Sequence, residues 1–167
     1  YREFLNLPNP NPAGFRIVSV RDIRDTQIRR NIVAKSPNRL VGVVFGAVYI
    51  LVGLLGFTVT SGFGFFSTSG GMLLGIFQVN AFHNVAHLLI GAALIIGGLV
   101  STRAAKAVNG TVGGAYLLLG IVGLFLVGTP LNVLALNSAD HVLHFASAVV
   151  LLGTALGTDK RTHTAIA

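Results

Sequence analysis

From Leu40 to about Val59 the chain is apolar and carries no charged residue, and similar runs recur at about 81–100, 110–127 and 139–157. At 1.5 Å of rise per helical residue, each run is long enough to cross a hydrocarbon core of about 30 Å. Backbone N–H and C=O groups in hydrocarbon must pair with each other, so each run is expected as a membrane-spanning helix. The expected fold is therefore all-α: an integral membrane four-helix bundle over residues 40–157. Composition agrees, with 53% hydrophobic and only 10% charged residues, against about 25% charged in an average soluble domain. The absence of cysteine excludes disulfides, thiolate metal sites and iron–sulfur clusters.

The remaining sequence is a basic N-terminal arm, residues 1–39, and a short tail, 158–167. The arm holds eight of the twelve Lys and Arg residues and three of the five acids. Its Asn6-to-Pro12 stretch excludes regular helix or central strand. Phe15–Val20 is expected as a short strand and Val20–Lys35 as a basic amphipathic helix, with Ser36-Pro-Asn-Arg39 breaking the chain before the first span. The chain opens at Tyr1 rather than Met, so processing or an earlier start is expected. No signal peptide is read, because the first apolar run begins at residue 40 and is longer than a signal core.

Lys and Arg also set the expected orientation. The arm has eight, the 61–80 loop none, the 101–109 loop two, the 128–138 loop none and the tail two. By the positive-inside rule both termini are cytoplasmic, in a bacterial plasma or thylakoid membrane. The net charge of +7 is then a belt facing anionic headgroups or a partner, not a nucleic-acid surface. Arg16, Arg21, Arg24, Arg29, Arg30, Lys35 and Arg39 are the expected lipid or partner contacts. Between the first two spans, Ser61–Gly71 is a Gly/Ser/Phe loop, and Leu73–Phe77 is expected as a short re-entrant or interfacial piece.

The spans repeat. Gly46-Ala-Val-Tyr-Ile-Leu-Val-Gly-Leu-Leu-Gly-Phe57 matches Gly113-Gly-Ala-Tyr-Leu-Leu-Leu-Gly-Ile-Val-Gly-Leu124, aligning Tyr49 with Tyr116, Gly53 with Gly120 and Gly56 with Gly123. Spans one and two and spans three and four are thus two tandem copies of one hairpin, the first with a loop ten residues longer. They should be related by a pseudo-two-fold along the membrane normal. Gly42/Gly46 and Gly110/Gly114 are the expected close-approach pairs.

The copies also share polar residues. Asn80, His83 and His87, and likewise Asn137, Asp140 and His144, lie at i, i+3 and i+7, one face of a helix. Asp140 is the only acid between Asp25 and Asp159. An ionisable group inside a span needs a partner, and His83, His87 or His141 is the expected one. Three readings stay open for this stripe. It is a structural clasp of interhelical hydrogen bonds. It is a zinc or iron site of His83, His87, Asp140 and His144. Or His87 and His144 ligate a haem or a chlorophyll-type pigment. No bound cofactor is the default. His141 and His163 read as local polar residues. A nucleophile elbow, a phosphate loop and a carboxylate pair are all missing, so a non-catalytic protein is expected. Four short spans also leave little room for alternating access.

Asn80-Ala-Phe-His-Asn-Val-Ala-His-Leu-Leu-Ile-Gly91 and Asn137-Ser-Ala-Asp-His-Val-Leu-His144 resemble the two signature segments of the DUF4383 family, small four-span bacterial membrane proteins. The resemblance covers about residues 40–157. Ala81 stands where proline is usual, and His141 where asparagine is usual. It implies Asn80, His83, Asn84, His87, Asn137, Asp140 and His144 as the family's polar residues, and an integral membrane protein of unassigned activity. An arm as polar as residues 1–39 buries too little to fold alone. The functional expectation is a non-catalytic accessory subunit docked through that arm on a larger membrane complex, respiratory or photosynthetic. The alternative is a small membrane protein holding a metal, haem or chlorophyll.

Overall fold

A computed structural model describes residues 36–159 together with Asp25, Ile28 and Val33. The expected strand at Phe15–Val20 lies outside the described residues, as do Arg16, Arg21, Arg24, Arg29, Arg30, Lys35 and His163. So does the expected helix over 20–35, except for Asp25, Ile28 and Val33, which are helical.

Four helices are long and apolar enough to cross a membrane: α1 (Pro37–Gly56), α2 (Ala81–Val100), α3 (Thr102–Leu126) and α4 (Ser138–Gly157). A small antiparallel hairpin, β1 (Gly71–Leu73) and β2 (Phe77–Val79), lies between α1 and α2. This is the all-α four-helix membrane bundle the apolar runs imply. Its outward faces carry large apolar side chains, among them Leu89, Ile96, Leu118, Phe125, Val149 and Leu156. Its interior is rich in Gly, Asn, His and Tyr, as suits helices whose surroundings are as apolar as their own side chains.

Capping residues set the helix starts. Ser36 Oγ accepts from Arg39 N–H, and Pro37 occupies the first helical position, where its missing N–H costs nothing. The Ser36–Arg39 stretch therefore starts α1 three residues earlier than expected. α1 ends at Gly56, and Thr58 and Val59 continue as turns. The expected 101–109 loop is a single residue. Ser101 ends α2, and its Oγ accepts from Ala104 N–H to cap α3. The third span thus begins at Thr102, not 110. Within this added stretch Asn109 is fully buried and donates through Nδ2 to Asn38 O at 2.9 Å, a tertiary contact that holds a weak helix former in the helix.

Glycines bring α1 onto α2. A Cβ at Gly46 would lie 2.6 Å from Gly91 O, and one at Gly91 would lie 2.7 Å from Gly46 O, so the backbones cross in direct contact. Gly42 behaves similarly, 3.1 Å from Leu94 O. In the second copy the expected Gly110/Gly114 pair is not the contact. A Cβ at Gly114 would meet nothing within 4 Å. Gly113, the repeat partner of Gly46, faces Leu152, and Gly120 faces Phe145, each at 2.9 Å. The i, i+4 spacing selected the wrong face by one residue.

The piece expected to be re-entrant is the β-hairpin, with Gly71 opposite Val79 and Leu73 opposite Phe77. Leu74 and Gly75 turn with φ of 54° and 71°. The turn suits glycine at 75, and Leu74 holds a conformation that a branched-at-Cγ side chain rarely takes. At the opposite end of the bundle, α1 and α4 are tied by a polar lock. Asp159 Oδ2 accepts from Ser36 Oγ (2.9 Å), Asn38 N (3.1 Å) and Asn38 Nδ2 (2.9 Å). Asn38 Nδ2 also donates to Thr158 Oγ1 at 2.9 Å.

Arg39 belongs to this end but does not face lipid or a partner as expected. It is buried, and its guanidinium donates through Nε to Gly98 O (2.7 Å) and through a terminal nitrogen to Leu99 O (2.8 Å). These carbonyls close α2, where no intrahelical donor remains and a cation is favoured by the helix dipole.

Candidate functional site

Five rings close a circuit through the bundle. Tyr49 on α1 lies 5.6 Å from His87 on α2 and 5.5 Å from Tyr116 on α3, between ring centroids. Tyr116 stacks on His144 of α4 at 5.1 Å, His144 is 6.2 Å from His83 of α2, and His83 stacks on His87 at 4.5 Å. Every helix contributes a ring. Tyr49–His87 and Tyr116–His144 are the same pair in the two copies, and Tyr49 meets Tyr116 where the copies face each other.

These rings line a cavity of about 330 Å³. Apart from Asp140 and Ser147, its other walls are apolar, among them Val44, Val48 and Val52 of α1, Leu143 and Val150 of α4, and Leu73, Phe77 and Val79 of the hairpin. Val44, Val48, Leu143 and Val150 are also exposed, so the mouth opens sideways between α1 and α4. The hairpin covers one end of this seam, and the Asn38–Asp159 lock closes the other.

Several polar atoms of the residues that line the cavity lack partners. Among the described residues, His83 Nδ1, His87 Nδ1, His144 Nδ1, Tyr49 Oη and Tyr116 Oη are buried and make no hydrogen bond. Asp140 also faces the cavity. Its Oδ2 accepts from Asn137 N–H at 2.8 Å in a capping box. The expected Asp–His pair is thus replaced by a helix cap, because Asp140 falls at the third position of α4, where a carboxylate satisfies free amides and meets the helix dipole.

The stripe therefore divides. Asn80 and Asn137 are caps, not cavity residues. Asn80 Oδ1 accepts from His83 N–H, and its Nδ2 donates to Ser67 O and to Val133 O, both at 2.7 Å. Asn137 caps α4 and donates to Ile76 O at 2.8 Å. Each cap reaches the loop of the other copy. Asn84 and His141 occupy matching positions behind the cavity, each under a repeat-matched glycine, Gly56 and Gly123. Asn84 Nδ2 donates weakly to Thr60 Oγ1 at 3.4 Å, and neither His141 nitrogen has a partner.

Only His83, His87, His144 and Asp140 of the expected set meet at the cavity. Tyr49 and Tyr116 were not among the expected residues. Their alignment in the two copies was the signal, since a polar tip repeated within apolar spans asks for a purpose. The geometry also bears on cofactors. Among the described residues no three His, Asp or Glu side chains are placed to hold a metal ion. His83 and His87 stack with 24° between their planes, so their nitrogens lie side by side and do not converge on a shared point. At about 330 Å³ the cavity lies at the small end of the range for drug-sized ligands, which favours a single-ring head group over a four-pyrrole macrocycle.

The fold and this cavity define an integral membrane protein of two helical hairpins joined around a His/Tyr-lined chamber. A family model described as "Domain of unknown function (DUF4383)" matches residues 39–157, and the chain belongs to that family. No curated protein and no solved structure matches it.

Proposed function

We propose that the protein is a non-catalytic membrane binding protein that holds a small amphiphile in the cavity between α1 and α4, taken up sideways from the bilayer. The observation that carries this reading is the group of five buried polar atoms without hydrogen-bond partners on residues that line one cavity. Each buried polar atom without a partner costs about 1–3 kcal/mol, and a ligand that pairs with them removes that cost. The apolar rim supports entry from lipid, and the positive-inside pattern favours the hairpin end facing away from the cytoplasm. Native mass spectrometry of the protein, purified from its own membranes in mild detergent, tests the proposal. One small amphiphile per chain is expected. Ala146→Trp, which fills the cavity from α4, should remove it and leave the fold intact. Identical spectra for the two proteins would refute the reading.

A second reading, an accessory subunit of a larger respiratory or photosynthetic complex, is favoured by the eight Lys and Arg residues up to position 39. Arg39, the member of the expected contact set that lies among the described residues, is committed to the end of α2. Under this reading a partner complex co-purifies with the full chain and is lost on deleting residues 1–35. Retention after the deletion removes the arm from the reading.

A further inference from the structure

We propose that the tip of the β-hairpin and the phenylalanine loop before it are a lipid-binding surface, seated among the acyl chains of the bilayer and not in water; the inference does not depend on the cavity holding a ligand. Phe63, Phe65 and Phe66 of the loop and Met72, Leu74 and Ile76 of the hairpin are all exposed. Single exposed apolar residues are ordinary on a soluble surface, but a cluster marks a contact. Here six fall within one stretch of chain, and no Asp, Glu, Lys or Arg stands anywhere between Arg39 and Arg103.

The hairpin tip points to lipid most directly. Leu74 holds a φ of 54° and is 75% exposed. A side chain is strained at such a φ, where glycine or asparagine is favoured. In water an exposed leucine at this position would add an apolar surface cost to the backbone cost. Among acyl chains the surface term changes sign and favours leucine over glycine. The backbone of the tip is paired as hydrocarbon requires. Gly75 N–H donates to Met72 O at 3.4 Å, Ile76 N–H donates to Leu73 O at 3.1 Å, and Ile76 O accepts from Asn137 Nδ2 at 2.8 Å. Apolar side chains thus project from a turn whose peptide groups are satisfied within the protein.

The loop is fixed in the same manner. Phe65 and Phe66 meet edge-on at 4.7 Å, and both pack on Phe82 in the first turn of α2, at 5.8 and 4.8 Å. Phe82 N–H donates to Phe65 O at 3.1 Å. The exposed apolar surface continues onto the end of α1 through Leu54 and Phe57 and onto the start of α4 through Val142. These helix faces already meet lipid, so the loop and the tip extend that surface without a break in chemistry. A protein partner would be met by an apolar centre with a polar, charged rim, and residues 57–80 and 127–139 carry no charge to form one.

The chain has no tryptophan, so a single introduced one is the sole indole reporter. Leu74→Trp and Met72→Trp report on the tip and Phe66→Trp on the loop; each replaces an exposed side chain. The full chain is placed in phosphatidylcholine vesicles at a low ratio of protein to lipid. Leu118→Trp, on the outward face of α3, gives the reference for a lipid-facing residue. Lipid brominated on its acyl chains should quench all three reporters to an extent approaching that of Leu118→Trp, and iodide added to the water should leave them bright. Emission open to iodide and untouched by brominated lipid puts the residue in water and overturns the proposal. Emission shielded from both quenchers also overturns it, because the cover is then protein, a second copy included. The tip and the loop must agree, and failure at either refutes the proposal.

Discussion

Replacing Gly46 by alanine adds one methyl group at the tightest crossing of the bundle, and the structure fixes what that methyl would meet. It would sit 2.6 Å from Gly91 O, 2.7 Å from Ile95 Cγ1 and 2.9 Å from Ile95 N. Two of these three atoms are backbone and have no rotamer by which to retreat. Ordinary contact begins at 3.4 Å, so α1 and α2 must separate by about 0.8 Å at this point. The separation also loosens the reciprocal approach of Gly91 to Gly46 O. Overpacking of this kind costs about 1–3 kcal/mol, and the gain in helix propensity from glycine to alanine returns at most about 1 kcal/mol. Gly114→Ala is the matched control: it is the same change in another spanning helix, where the methyl meets nothing within 4 Å, so only the propensity gain remains. Gly46→Ala should therefore unfold more easily than Gly114→Ala by about 1–3 kcal/mol. The assay is reversible unfolding in mixed micelles of dodecyl maltoside and increasing dodecyl sulfate, followed by circular dichroism. If the two variants agree within about 0.5 kcal/mol, the scale of non-additivity between sites, or if Gly114→Ala is the worse, the glycine-on-glycine crossing is wrong.

Three further outcomes follow from other contacts. Asn80→Ala removes a cap, one bond within its own loop and one to the loop of the other copy, and should cost about 3 kcal/mol; Asn137→Ala removes a cap and one bond to the other copy's loop, and should cost about 2 kcal/mol. Losses below about 1 kcal/mol for both, in the same unfolding assay, would discount the exchange of caps between copies. At the other end, burial pushes the Asp159 carboxyl up, but the side-chain and backbone donors of Asn38, the Ser36 hydroxyl and the Lys106 charge outweigh it and hold it below its ordinary 3.8. A carboxyl depressed in the folded state stabilises fully above its ordinary value, and that contribution is lost as pH falls through the depressed one. Unfolding midpoints should thus hold steady from neutral pH down to about the ordinary value and fall below it, and Asp159→Asn should flatten this acid limb; an unchanged acid limb in the variant counts against the lock. Because the chain has no cysteine, single cysteines report orientation cleanly. Thr68→Cys, exposed in the loop before the hairpin, should react with an impermeant maleimide on intact cells, and Thr102→Cys, at the start of α3, only after permeabilisation; the reverse pattern inverts the topology.

The architecture was legible because it rests on the strongest signal a sequence carries, long uncharged runs that have one economical outcome in lipid. The repeat was legible for the same reason: aligned Tyr, Gly, Asn and His residues stand out in apolar sequence. What escaped was decided by single tertiary contacts. The third span was expected from about 110, yet its helix starts at Thr102 and carries Asn109, whose amide protons Asn38 accepts. Arg39 looked like a headgroup contact until the last carbonyls of α2 were found to lack donors. Asp140 looked like a partner for histidine, though its place three residues after Asn137 already spelled a capping box. The i, i+3, i+7 stripe treated Asn80 and Asn137 as part of a helical face, whereas both stand one residue outside their helices.

The duplication also explains why a chamber exists at all and why it opens where it does. Two copies of one hairpin create two equivalent seams, α2 against α3 and α4 against α1. The chain crosses the first seam through Ser101 alone, and a Cβ at Gly97 would lie 2.9 Å from Val108 of α3, so that seam is shut. No peptide link crosses the second. It is held at one end by Asn38 and Asp159 and at the other by Asn137 on Ile76 O, and between these ties stand the valines of α1 and the outward-facing residues of α4. The hairpin, part of the ten extra loop residues of the first copy, then roofs the open seam with Leu73, Phe77 and Val79. Equal helices thus enclose an unequal space. The Tyr–His pairs inherited by both copies meet at its wall through Tyr49 and Tyr116, and the difference between the two connecting loops gives it one covered end and one mouth toward lipid.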